Sequence, residues 1–324
     1  MGAMFRCIQF IELDLSSFDT SNVTNMSDMF ADSSLLKIIY VSESFNTNSV
    51  ETGDSMFYNC TSLVGSAGTV YDSTNVNYQY AHIDEGTSNP GYFTIATAFA
   101  TNSWPKIIAD VKSGKTNSYK VGDTKSVNMG DYGVHTVRIA NTSTPSECST
   151  EGFSQTACGF VLEFADIITT HKMNDTYTNV GGWPSTSMRT YVNNDIYNVI
   201  PSEIKNAIID TTVVSGHGRK DAENFTSTDK LYLLAPKEIY TDFSSSEDTA
   251  KDLTRTLDYY INQGVTTSNY SGAIKKNGTN ADYWWLRAAI SNTTNYFLRV
   301  NGNGYYSNDS AANARGVAPA FRIG

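Results

Sequence analysis

Hydrophobic positions in the first part of the chain recur at a fixed interval. Phe18, Val23, Met29, Phe30 and Leu36 return as Phe45, Val50, Met56, Phe57 and Leu63, each 27 residues on. The polar positions echo as well: 18–23 reads Phe-Asp-Thr-Ser-Asn-Val, and 45–50 reads Phe-Asn-Thr-Asn-Ser-Val. An incomplete unit, Met4-Phe5-Arg6-Cys7-Ile8-Gln9-Phe10, stands before them. A period in this range predicts a solenoid, in which each unit buries its apolar face only against its neighbours, and about three or more units are usual. The chain opens inside a unit, so further repeats and a secretion signal are expected upstream. Cys7, Ser33 and Cys60 fall in one register on this reading, which makes both cysteines small buried residues rather than a disulfide.

The pattern then changes. Residues 95–103 read as a connector. Ser103-Trp104-Pro105 starts a helix that Gly114 stops, with Ile107, Ile108 and Val111 on its apolar face. Strands are expected at 119–127 and 135–140, around the turn 129–133, and a longer buried one at 160–168. Helices are expected at 185–192 and 201–209, strands at 211–214 and 231–234, and a helix at 249–261 with Leu253, Leu257 and Ile261 on one stripe. Strands mixed with a few helices predict an α+β domain rather than a regular βαβ series.

The last forty residues have a third pattern. Tyr283-Trp284-Trp285-Leu286-Arg287-Ala288-Ala289 and Gly316-Val317-Ala318-Pro319-Ala320-Phe321-Arg322 are mainly apolar and read as buried strands. Alternation sends neighbouring side chains to opposite faces, so at most one of Trp284 and Trp285 looks outward; with Trp183 they read as core. Between these strands the chain is almost all Asn, Tyr, Ser, Thr, Gly and Ala. Tyr supplies rigid amphipathic contact area, and Asn, Ser and Gly adapt their hydrogen bonds, so the stretch predicts a binding face on a fixed frame. Tyr296, Tyr305 and Tyr306 are the expected anchors. Asn292, Asn295, Asn301, Asn303, Asn308 and Asn313 are the expected adaptable contacts, and Ile290, Thr293, Leu298 and Asp309 complete the set.

Composition narrows the partners. The net charge of −10 repels phosphate backbones, so nucleic acid is not an expected partner. No run of about 18 apolar residues is present to span a membrane. Charged residues make up only 17%, leaving the surface to Asn, Ser and Thr, which suits a surface-displayed or secreted protein. Cys148 and Cys158 flank a short polar loop, and in an oxidising compartment they pair or stay free. The histidines His82, His135, His171 and His217 are scattered; His135 reads as structural and His217 sits in a turn. Asp221, Glu223 and Asp229 beside Asn224 offer oxygen ligands without the spacing of an EF-hand, and read as a solvated acidic loop. No nucleophile–base pair or phosphate loop is found, so neither an enzyme nor a cofactor is expected.

Two resemblances add to this reading. Residues 18–30, with Ala81-His82-Ile83-Asp84 and Pro90-Gly91-Tyr92-Phe93-Thr94 after them, make residues 1–94 similar to the BspA-like leucine-rich-repeat surface proteins of bacteria. That resemblance implies surface display and adhesion.

Residues 104–324 resemble a family of gut-bacterial surface domains of C-type-lectin-like fold. The matching marks are 119–125 (Tyr-Lys-Val-Gly-Asp-Thr-Lys), Gly182-Trp183-Pro184 with Met188-Arg189, 284–287 and 316–322. The last two also resemble the ends of the variable region in proteins diversified by retroelements. There an adenine-randomised AAC codon never yields Lys, Glu, Gln, Met or Trp, and none of these occurs between Ala288 and Ala320. The calcium-dependent sugar motifs of animal C-type lectins are absent, so the resemblance carries no sugar specificity by itself. The formylglycine-generating oxidases share the fold but need a cysteine pair, and no Cys follows Cys158.

The expected architecture is therefore α+β. A short, truncated leucine-rich-repeat-like solenoid (1–94) and a connector (95–103) precede a C-type-lectin-like domain (104–324) with a variable region at about 288–315. The expected function is binding of a protein or glycan on another cell, phage or host surface. A calcium-dependent carbohydrate module and a structural spacer are the alternatives.

Overall fold

A computed structural model describes residues 1–244 and 253–324. The chain forms two compact units, Met1–Thr101 and Asn102–Gly324. It is a mixed α+β protein, mostly sheet with few helices, and no sheet among the described residues closes into a barrel.

In the first unit β1 (Glu12–Asp14), β2 (Ile38–Val41) and β3 (Phe93–Ile95) form a parallel sheet in that order. The repeated residues build its core: Met29, Phe30, Leu36, Met56, Phe57 and Leu63 are buried, with Phe18, Val23, Phe45 and Val50 packed against them. Phe5, Phe30 and Phe57 stack at ring separations of 6.0 and 5.6 Å. Equivalent backbone groups bond from unit to unit. Phe5 N–H donates to Met29 O at 2.8 Å, and Phe30 N–H donates to Met56 O at 2.9 Å.

Six non-glycine residues in this unit have positive φ, and they too recur: Ala3, Asp28 and Ser55, then Cys7, Asp32 and Asn59. This corrects the sequence alignment. The first interval is shorter than the second, so Cys7 lies in register with Asp32 and Asn59 and is exposed, whereas Cys60 is buried beside Phe30 O. At the other end of the array Asp84 is 4% exposed and accepts from Ala67 N, Thr69 N and Oγ1, Gly86 N and Gly91 N.

The segment read as a connector contains the end of β3 and the short helix α1 (Ala98–Thr101). The second unit starts with α2 (Trp104–Lys112), which has Pro105 in its first turn and buries Trp104 and Ile107. β4 (Thr124–Asn128), β5 (Val134–Asn141) and β6 (Val161–Phe164) follow, and β7 (Thr169–Lys172) lies in another sheet. Of the strand expected over 160–168 only Val161–Phe164 is strand, and the chain leaves that sheet before β7 begins. Cys148 and Cys158 are paired in a disulfide across the intervening loop, with their Cα atoms 6.0 Å apart.

The helices come next: α3 (Ser187–Tyr191), a π-helical turn over Val192–Ile196, α4 (Tyr197–Val199) and α5 (Ser202–Lys205). β8 (Thr211–Ser215) pairs with β9 (Phe225–Asp229), so Asp229 lies on a strand and not in a solvated acidic loop. Asp229 is buried and accepts from Trp183 Nε1 at 2.9 Å, Arg189 Nε at 2.6 Å and Ser227 Oγ at 2.8 Å.

Residues 231–234 are fully buried but not a strand; only Tyr232 bridges to Ala320. After α6 (Pro236–Ile239), the helix expected at 249–261 lies partly outside the described residues. Its described part is α7 (Asp258–Asn262), and Leu253 and Ile261 are exposed while Leu257 and Tyr260 are buried. The apolar stripe therefore fails: residues 253–257, described but outside any helix, place Leu257 inward and Leu253 outward.

The short strands β10 (Lys275–Asn277) and β11 (Asn280–Asp282) lead into the frame of the C-terminal segment. This frame comprises β12 (Trp284–Ala289), β13 (Tyr296–Val300), β14 (Tyr306–Ser310), β15 (Ala314–Val317) and β16 (Ala320–Arg322). The sheets have the orders β14-β13-β12-β15-β7 and β16-β6-β5-β4. Every residue of β12 is buried, so both tryptophans face inward. Trp284 Nε1 donates to Ala273 O and Trp285 Nε1 to His171 O, which satisfies the polar atom of each ring. Among the described residues no helix is long and apolar enough to cross a membrane.

Candidate functional site

The frame beneath the C-terminal segment is locked by two buried charge networks. Arg287, on β12, is fully buried and meets the fully buried Glu238 with Nη1–Oε2 at 2.6 Å and Nη2–Oε1 at 2.7 Å. Arg287 also donates to Val214 O and Leu233 O. Glu238 takes further bonds from Thr156 Oγ1, Thr254 Oγ1 and Ala235 N. With this many polar partners the buried pair is fully compensated.

The second network centres on Glu163 of β6, which holds Lys275 Nζ at 2.8 Å, Arg138 Nη2 at 2.8 Å and Tyr260 OH at 2.9 Å. Burial pushes the Glu163 carboxyl up, but Arg138 and Lys275 outweigh it and bring it down to about 2. An apolar run interrupted by one arginine, as at 284–289, was the available signal for such a pair.

The antiparallel register of β13 and β14 (Tyr296 opposite Ser310, Val300 opposite Tyr306) sorts the expected contact residues to two ends. Asn292, Thr293, Asn295 and Tyr296 lie at one end with Asn313. Asn301, Asn303, Tyr305 and Tyr306 lie at the other. Five residues of strand separate the two ends by about 16 Å. Asn308 and Asp309 lie on β14, an edge strand, between them.

Two of the expected contacts are corrected. Ile290 is 1% exposed and Leu298 0%, so both belong to the core and present no contact area. Asn292, Asn303 and Asn313 are exposed; Thr293, Asn295, Tyr296, Asn301, Tyr306, Asn308 and Asp309 are half-buried.

At the first end, the loop after β12 is held from outside the segment. The fully buried Asn179 donates from Nδ2 to Tyr296 O at 3.0 Å and, at 3.4 Å, to Ile290 O and Thr293 O. Its backbone N–H donates to Thr294 O at 2.9 Å, and Arg219 N–H donates to Thr293 O at 2.8 Å. Tyr177, which is 61% exposed, sets its ring edge-on to Tyr296 at 6.3 Å. Sequence reading missed both Tyr177 and Asn179, because they lie more than a hundred residues from the loop they touch.

At the second end, Gly304 has φ +92°, and a Cβ there would lie 2.1 Å from Tyr270 O, so only glycine fits this turn. Tyr240 OH donates to Gly304 O at 2.6 Å. Tyr306 packs edge-on against Tyr240 and Phe243, and Tyr305, the more open of the two, packs on Tyr270. Tyr306 is therefore part of the frame as well as of the surface.

Between the ends, Asp309 accepts from Arg315 Nε at 2.7 Å and Asn313 Nδ2 at 2.7 Å, and pairs with Arg299 Nε at 3.3 Å. Burial raises the Asp309 carboxyl, but the bonds from Asn313 and Arg315 outweigh it and the net direction is down.

The family model described as "Mycoplasma protein of unknown function, DUF285" matches residues 1–90, which fits the resemblance of that segment to BspA-like repeats and is compatible with a bacterial surface protein. Comparison with curated proteins and with solved structures found no match. The family model described as "Domain of unknown function (DUF6273)" matches residues 160–324 and so spans β6 to the C-terminus, including both ends of the candidate site. That match covers more than half of the chain, and the protein belongs to the DUF6273 family.

Proposed function

We propose that this protein is a bacterial surface-displayed ligand-binding protein, adhesin- or receptor-like, whose C-terminal segment carries the binding site. One observation supports this above others: exposed Asn292, Asn303, Asn313 and Tyr305 lie in the loops of a sheet whose central strand, β12, is buried along its whole length. Such a frame tolerates changes in the loops without changes in the core.

In this reading the second unit is C-type-lectin-like, and the first is a leucine-rich-repeat-like solenoid that serves display at the cell surface. The segment is the variable region of a diversity-generating retroelement protein. The absence of Lys, Glu, Gln, Met and Trp from Ala288 to Ala320 supports that last point. Binding is by shape and hydrogen-bond complementarity, without a catalytic step or cofactor.

The experiment is a screen of the full chain on arrays of glycans and extracellular proteins, beside a variant carrying Asn303→Ala and Tyr305→Ala. A signal lost in the variant supports the reading; a signal retained at full strength removes the site. Diversification has its own test. A near-copy of the 3′ coding end beside a reverse-transcriptase gene, differing only at adenines, is expected, and a neighbourhood without one removes this part alone.

A further inference from the structure

Two guanidinium groups in the C-terminal segment share one carboxylate. Arg299, on β13, and Arg315, on β15, bring their Nε atoms to 3.3 and 2.7 Å from the same oxygen, Asp309 Oδ2. Both guanidiniums also lie over the ring of Tyr283, with Cζ at 4.2 and 5.4 Å from its centroid. The other groups bonded to this cluster are neutral: Asn313 Nδ2 and Ser310 N on Asp309, Asn301 Oδ1 and Asn308 O, which accept from Arg299, and Ala314 O, which accepts from Arg315. The cluster therefore carries one positive charge beyond what Asp309 compensates, in a chain of net charge −10.

The geometry leaves that charge open to a ligand. Asp309 approaches each guanidinium on its Nε side: Arg315 Nε donates to it, whereas Arg299 Nε donates to Asn308 O at 3.1 Å and meets Asp309 as an ion pair. Arg299 Nη1 is held by Asn301 Oδ1 and Arg315 Nη1 by Ala314 O at 3.1 Å, while the Nη2 atoms have no acceptor among the described residues. The guanidinium fork is the part of arginine that matches a planar or tetrahedral oxyanion with two parallel bonds. The Arg315 side chain is 32% exposed and Tyr283 is 40% exposed, so the site opens on its Arg315 side. Burial lowers the Arg299 pKa, and repulsion from Arg315 adds to the lowering against the opposing pull of Asp309, as expected for a partly desolvated pair of like charges.

We propose that Arg299 and Arg315 form a recognition site for an oxyanion, a carboxylate or sulfate borne by the ligand, and that Asp309 occupies it as an internal competitor. This deepens the reading of the C-terminal segment as a binding face and rests on it. An anionic ligand adds charge-assisted bonds at Arg315 and takes over part of the hold that Asp309 has on both arginines.

The test follows the arginine Nε–H resonances of the full chain by NMR. Sodium acetate and sodium sulfate are titrated separately, with chloride balancing the ionic strength. Saturable shifts are expected at Arg299 and Arg315 but not at the exposed Arg219, and the anion with the lower half-saturation identifies the oxyanion. Asp309→Asn removes the competitor and is expected to tighten binding about tenfold, whereas a purely structural ion pair would give no tightening. Arg315→Gln is expected to abolish the response, and it carries the test alone where Asp309→Asn does not fold. Shifts at Arg299 and Arg315 that stay linear and no larger than those of Arg219 would overturn the proposal. So would a saturable response surviving in Arg315→Gln, or unchanged affinity in a folded Asp309→Asn. Those results leave the binding role of Tyr305 and Asn303 standing, since it is read from a different variant; loss of that role with the anion response intact fails the broader reading alone.

Discussion

Arg287 and Glu238 face each other in the core with neither side chain exposed, joined by two parallel hydrogen bonds of 2.6 and 2.7 Å. The arginine belongs to β12, and the glutamate closes the first turn of α6 by accepting from Ala235 N. This pair fixes the strand from which the candidate binding loop departs. Removing one partner leaves the other charged and buried, which costs about 3–5 kcal/mol. Arg287→Met is therefore expected to lower unfolding stability by that amount in urea titration. The double variant with Glu238→Leu should lose less than the sum of the two singles. Additive losses would show that the pair does not act as a unit.

Glu163 should contribute a distinct part of the acid response. Its carboxyl is held at about 2 in the folded chain, below the roughly 4.3 expected of an unfolded glutamate. A depressed carboxyl contributes stability that is fully present above the unfolded value and fades as pH falls towards the folded one. Stability should decline from about pH 4.3 down to about pH 2. Glu163→Gln should be less stable at pH 7 and show a shallower acid limb in thermal melts. An acid limb as steep as that of the parent would assign the effect elsewhere.

Tyr305 and Tyr306 are adjacent but predict different outcomes. Tyr306 packs on Tyr240 and Phe243, so Tyr306→Ala should cost about 2–4 kcal/mol. Tyr305 is 37% exposed, and Tyr305→Ala should cost under about 1 kcal/mol. Denaturant midpoints of the two variants check this; equal losses would contradict the assignment of Tyr306 to the frame.

The free cysteines should separate by reactivity. Burial pushes the Cys60 thiol up to about 12, whereas Cys7 is exposed. Iodoacetamide on the native chain should label Cys7 alone, with Cys60 reacting only after unfolding. Mass spectrometry of the digest reads this directly.

The sequence made much of the molecule legible, for identifiable reasons. The repeat showed because Met29, Phe30 and Leu36 must be copied wherever the stack continues. The apolar runs around 284–289 and 316–321 showed because they are buried on both faces. What stayed hidden depends on contacts between distant residues. The strand at 225–229 alternates Phe, Ser and Asp, and its Asp229 is buried only because Trp183 and Arg189 reach it from the other side of a long loop. Ile290 and Leu298 read as surface because they fall inside a segment rich in Asn, Ser and Gly, yet Ile290, just after β12, and Leu298, on β13, are buried. Asn179 could not be read at all, since nothing near it in sequence says that its side chain reaches three carbonyls more than a hundred residues away.

The proposed binding role of the C-terminal segment is open to one comparison. The full chain and a variant carrying Asn292→Ala, Asn303→Ala and Tyr305→Ala are applied to the same glycan and extracellular-protein arrays, and Kd is measured for any ligand the parent binds. None of the three side chains belongs to the buried core, so the melting temperature should stay within about 2 °C. Affinity should fall at least about tenfold, as expected when an aromatic anchor and two amide contacts are lost. A folded variant that binds the same ligand with the parent's Kd would contradict the assignment of binding to this segment.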